Sequence, residues 1–149
     1  MNRQPSERCE MKAFLEKLIH DWENEVVEFK QAGNDYKTDK IGEYFSALTN
    51  EANLRGLEKA WLIFGVNNKS RKVVGSEYRQ EPERLQNTKM QIAENTEPSV
   101  TFRNIHELVH PDGRVILFEI PAAPRGMPIA WKGHYYAREI GRASCRERV

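Results

Sequence analysis

The residues whose types and spacing suit chemistry are cations interleaved with aromatics. Trp131, Lys132, Tyr135, Tyr136 and Arg138 stand close together, a composition suited to stacking bases and neutralising phosphates. Lys69, Arg71 and Lys72 fall in or beside one polar stretch, NNKSRK, from which long cationic side chains reach backbone phosphates. Arg125, in the proline-rich PAAPRGMP, can do the same. Each cluster also has a plainer use, because a basic turn is usually solvated and aromatics on a strand usually enter a core. Other chemistries fail on geometry. His106 and His110, on one strand face, would stand roughly 13 Å apart, too far to ligate one zinc ion. No P-loop glycine pattern supports ATP binding, and no strand-turn-helix elbow marks a nucleophilic serine.

The charge balance of the whole chain gives these cations no help. The 149 residues carry a formal net charge of +1, and the composition changes abruptly after Arg138. EIGRASCRERV has no apolar periodicity and no turn logic, and it is what a common sequencing adapter encodes when read in frame. Residues 139–149 are therefore expected to be a non-native tail, with the natural protein cut at that point and a further C-terminal region of it missing. Setting aside the tail's three Arg and two Glu leaves residues 1–138 neutral, so no global basic excess points to nucleic acid. Cys145 leaves with the tail, and Cys9 alone makes neither a disulfide framework nor a cysteine metal site.

With 39% hydrophobic and 30% charged residues, the chain suits one core of ordinary size. No run approaches the roughly 18 apolar residues of a membrane span. The opening MNRQPSERCEMKAFLEK lacks the apolar stretch of a signal peptide, so the expected compartment is the cytoplasm, with no membrane partner.

Positioning the candidate residues requires about three helices and a sheet. Met11, Phe14, Leu15, Leu18 and Ile19 recur at helical spacing within Ser6–Trp22. In ENEVVEFKQ, Val27 and Phe29 alternate with Glu28 and Lys30, as in a strand with one wet or functional face, where Glu28 and Lys30 can form an ordinary exposed pair. A second helix runs from Thr38 to about Leu54 on a stripe of Ile41, Tyr44, Phe45, Leu48 and Ala52. AWLIFGV reads as a central strand covered on both faces, and KVVG as a short returning one. Pro82 opens a third helix reaching about Asn95. SVTFRNIHELVH and GRVILFEIP, joined by Pro-Asp-Gly, read as a hairpin. IAWKGHYYAR is a last strand bent at Gly133. The order predicts an α+β fold with a mixed, mostly antiparallel sheet and about three packed helices.

Four segments in order, ENEVVEFK, YFSALTNEAN, WLIFGVNNKSRKVVG and PIAWKGHYYAR, resemble the Schlafen-type, Alba-like DNA-binding domain over residues 23–138, with 1–22 as a separate N-terminal helix. Bacterial members of that family stand at the front of transcriptional regulators and have also been labelled divergent AAA ATPases. Two departures are visible. Relatives follow the helix-two alanine and asparagine with Gly-Gly, whereas Asn50 here is followed by EANLRG. Some relatives are ribonucleases with two glutamates spaced as Glu23 and Glu28 are and an aspartate after the GV strand, where this chain has Asn67 and Asn68. Three carboxylates hold a Mg or Mn ion that polarises phosphate and activates water, and two hold it much less well.

The resemblance and the residues together imply a non-catalytic DNA-binding or RNA-binding module of a transcriptional regulator, without a metal or cofactor of its own. Its nucleic-acid contacts, mainly to backbone, are expected from Lys30, Arg55, Lys69, Arg71, Lys72, Arg125, Trp131, Lys132, Tyr135 and Arg138. The alternatives are a metal-dependent endoribonuclease acting through Glu23 and Glu28, and a protein-interaction domain forming a homodimer through a sheet edge.

Overall fold

Alternating side chains along two adjacent strands sort the core into two layers. In β2 (Lys59–Phe64) and β5 (Gly113–Pro121), Ala60, Leu62, Phe64, Ile116, Phe118 and Ile120 face one way. Trp61, Ile63, Val115 and Leu117 face the other. Both sets are buried, as a strand covered on both faces requires. The computed structural model describes residues 5–22, 25–138 and 145–148.

The main sheet has the order β1-β2-β5-β4, with β1 spanning Val27–Lys30 and β4 spanning Asn104–His110. β1 runs parallel to β2, and the remaining pairs are antiparallel. The fold is α+β, as expected. The Pro-Asp-Gly hairpin is present, with His110 opposite Gly113. Val73 makes only an isolated bridge to Val66 where a short strand was expected.

Helix α1 (Pro5–His20) lays Leu15 and Leu18 on the Val27, Phe29 and Trp61 face. Helix α2 (Thr38–Leu54) and helix α3 (Pro82–Asn95) cover the opposite face through Ile41, Tyr44, Phe45, Leu48, Leu85 and Ile92. Two short strands, β3 (Thr96–Glu97) and β6 (Ala130–Trp131), pair beside α2. Among the described residues no helix is long and apolar enough to cross a membrane.

The last expected strand is divided. Lys132 and Gly133 both take positive φ, 48° and 81°, which is the geometry of a tight reversing turn. Trp131 and His134 exchange backbone hydrogen bonds across it, so β7 (Tyr135–Arg138) returns along α2. β8 (Cys145–Arg148), which falls in the segment read as a tail, pairs with β7.

Trp131 fixes this arrangement. Its ring lies so close over Gly42 of α2 that a Cβ there would come within 2.1 Å of ring carbons, and its indole N–H donates to Asp39 at 3.3 Å. Alanine is ordinarily better than glycine inside a helix by roughly 1 kcal/mol. Here the order reverses: Gly42→Ala should destabilise the protein by about 1–3 kcal/mol through overpacking. A urea midpoint at or above that of the unsubstituted chain would show that the ring moves aside freely.

Candidate functional site

The strand alternation that sends Val27 and Phe29 toward α1 turns Glu28 toward α2. A wet face was expected there, but Glu28 is only 2% exposed. The return of β7 along α2 supplies its cover. Arg138 Nε stands 3.6 Å from Glu28 Oε1, and its Nη1 donates to Glu51 Oε2 at 3.0 Å. The ordinary exposed Glu28–Lys30 pair is thus replaced by a buried carboxylate under an arginine. Glu28 Oε1 has no hydrogen-bond partner among the described residues. Burial pushes the Glu28 carboxyl above its usual range, against the opposing pull of Arg138, Lys30, Arg71 and the Phe29 N–H.

Arg71 reaches the same point from the turn after β2. That turn is built on Asn67, whose Oδ1 accepts the backbone N–H groups of Lys69 and Ser70 at 2.8 and 2.9 Å. Arg71 sits at φ 60° and lays its guanidinium over Phe29 at 4.6 Å and Trp22 at 4.9 Å. Partial burial holds its pKa below the usual value, with Glu28 opposing the shift and Arg138 adding to it. Lys30 lies 5.1 Å from the Tyr44 ring centroid. Lys30, Arg71 and Arg138 therefore converge around Glu28, and Lys69 and Lys72 are exposed on the adjoining turn.

The other expected residues are distributed differently. Trp131 is 2% exposed, so its ring belongs to the core rather than to an open stacking surface. Lys132 pairs with Asp39 at 2.6 Å, a contact that holds the Asp39 carboxyl below its usual range. Asp39 and Glu51 lie roughly 18 Å apart along α2 at helical rise, so Lys132 stands well away from Arg138. Arg55, at the C-terminal end of α2, donates to the Glu25 carbonyl at 3.3 Å. Arg125 is exposed on the proline-rich loop. Glu23 lies outside the described residues.

Tyr135 and Arg138 share a cleft of about 650 Å³ with Leu54, Asn53, Met127 and Pro128. Neither this cleft nor Glu51 was foreseen. The only sign of Glu51 was the departure at Asn50, where a carboxylate follows the asparagine in place of glycine. His106, rather than joining a metal site, stands 3.4 Å from Glu119. Among the described residues no three His, Cys, Asp or Glu side chains are grouped to hold a metal ion.

Residues 23–144 match the family model described as Schlafen, AlbA_2. Solved structures show the same fold at low identity. One is the DIP2311 protein of Corynebacterium diphtheriae, with TM-score 0.61 and 17% identity, covering 96% of this chain and 27% of that one. This chain thus spans about a quarter of that protein's length. Another is the N-terminal domain of a Nitrosomonas europaea protein named for its relation to the ATP-dependent DNA helicase RecG, with TM-score 0.55 and 19% identity, covering 86% of each chain. No curated protein matches the sequence.

The raised Glu28 pKa has a measurable consequence. Between the unfolded value near 4.5 and the higher native one, the folded protein holds a proton that the unfolded chain has released, so this group's contribution to stability falls as pH rises. Glu28→Gln removes that titration. The stability difference should move in the variant's favour as pH rises from 4 and level off above the native pKa, in urea titrations of both proteins. A difference independent of pH would mean that Glu28 titrates as in the unfolded chain.

Proposed function

The chain belongs to the Schlafen, AlbA_2 family, and from that premise we propose that it is a non-catalytic nucleic-acid-binding module of a transcriptional regulator, holding DNA by its sugar-phosphate backbone. The observation that carries this reading is the gathering of Lys30, Arg71 and Arg138 around Glu28, beside exposed Lys69 and Lys72. A chain whose residues 1–138 are neutral has no general attraction for polyanions, so its affinity must come from such a local grouping. The helicase-related name of the Nitrosomonas europaea neighbour agrees with a nucleic-acid partner.

One observation favours metal-dependent RNA cleavage as a second reading. Glu28 Oε1 is buried without a hydrogen-bond partner among the described residues, as an oxygen kept for a cation would be. The surroundings fit that ion poorly. Arg138, Arg71 and Lys30 already supply positive charge there, and the Asn67 oxygen is engaged in its turn.

Replacing Lys69, Arg71 and Lys72 with alanine should weaken duplex DNA binding and shrink the slope of log affinity against log salt by about 2–3, one phosphate contact per cation at roughly 0.9 each. Fluorescence anisotropy at several salt concentrations measures both quantities. An unchanged slope would remove this turn from the interface. In the same preparation, labelled transfer RNA with manganese separates the two readings, because cleavage abolished by Glu28→Gln would establish the enzyme.

A further inference from the structure

We propose that the cleft between α2 and the 126–128 loop receives one unpaired nucleobase, so that the chain takes single-stranded nucleic acid in preference to duplex. The inference rests on the nucleic-acid reading above and supplies its substrate class. The cleft's volume, about 650 Å³, falls within the roughly 300–1,000 Å³ typical of small-molecule sites. That leaves ample room for a base.

The lining is that of a base site. Leu54 is 74% exposed, Met127 50% and Tyr135 43%, and all three meet in this cleft with Pro128. Three large apolar side chains left in water at one place call for an occupant. Tyr135 offers an aromatic surface for stacking. Asn53, on the α2 wall, can pair with a base edge, whereas Glu51 is held by Arg138. Asn50, although it lines the cleft, does not contribute, because both ends of its amide are engaged with the Ile129 backbone at 2.8 and 3.0 Å.

Charge complementarity selects a nucleotide over a purely apolar ligand. Arg138 lines the same cleft, and its described contacts occupy two of its three guanidinium nitrogens. A phosphate attached to the bound base finds this arginine at the wall. A base inside a duplex is paired and stacked, and reaching the cleft would require it to be flipped out against that stacking.

The test uses the full chain, an oligothymidylate carrying one 2-aminopurine, and a duplex of matched length. Tyr135→Ala is the main variant, because Tyr135 is too exposed for its loss to unfold the protein. Met127→Ser is a second, independent probe of the same wall. Single-strand binding should change 2-aminopurine fluorescence, and each substitution should weaken it, Tyr135→Ala on the order of tenfold, the worth of one base–aromatic stack. Duplex affinity of Met127→Ser should stay within about twofold.

Unchanged single-strand affinity in both variants, while the Lys69, Arg71 and Lys72 substitutions still weaken binding, would overturn the cleft and leave the nucleic-acid reading standing. Failure of the unsubstituted chain to bind either oligonucleotide would overturn that reading itself. A concentration-dependent dimer in sedimentation that Tyr135→Ala breaks would assign the cleft to a second copy of the chain instead.

Discussion

The burial of one carboxylate beneath one arginine joins three elements of this molecule. Glu28 comes from an edge strand of the main sheet, Glu51 from α2, and Arg138 from β7, a strand that does not belong to that sheet. Removing an ion from water costs several kcal/mol, and breaking such a pair one-sidedly typically costs about 3–5 kcal/mol. The position of β7 is therefore coupled to the protonation and pairing of Glu28. A short strand whose described ladder partner is only β8 would otherwise have little to fix its distance from the sheet.

The glycines show how this geometry is permitted. Gly42 leaves space for the Trp131 ring, which anchors β6 against α2. The positive φ of Lys132 and Gly133 then reverses the chain. The strand that starts from this reversal brings Arg138 over Glu28. Packing of Trp131 in the core thus positions the charge of Arg138, seven residues further along the chain.

Much of the sheet was legible because its signals are local. AWLIFGV is continuous, GRVILFEIP is almost so, and Pro-Asp-Gly specifies its own turn, so β2 and the β4–β5 hairpin follow from short stretches of residues. Glu28 was misjudged for the complementary reason. Period-two alternation tells which residues share a face but not what covers that face. Here the cover comes from 110 residues later in the chain. Trp131 shows the same ambiguity: composition alone cannot distinguish an aromatic that stacks on a ligand from one that stacks on a glycine. The cations were legible as residue types, yet only the fold separates Arg71 and Arg138, which meet, from Lys132, which is engaged by Asp39 at the far end of α2.

Convergence of cations on a carboxylate pair also shapes what kind of binding is possible. With Glu28 and Glu51 both ionised, Lys30, Arg71 and Arg138 leave one surplus positive charge, so any longer-range attraction for a polyanion comes mainly from exposed Lys69 and Lys72 on the adjoining turn. On the proposed reading, an incoming phosphate would have to compete with Glu51 for Arg138 at close range, in a partly water-excluded place where charge-assisted hydrogen bonds are stronger than in bulk water. That competition disfavours loose sliding contact. It favours a ligand able to offer something besides charge, and the aromatic and apolar wall beside Arg138 is where that second contribution is available.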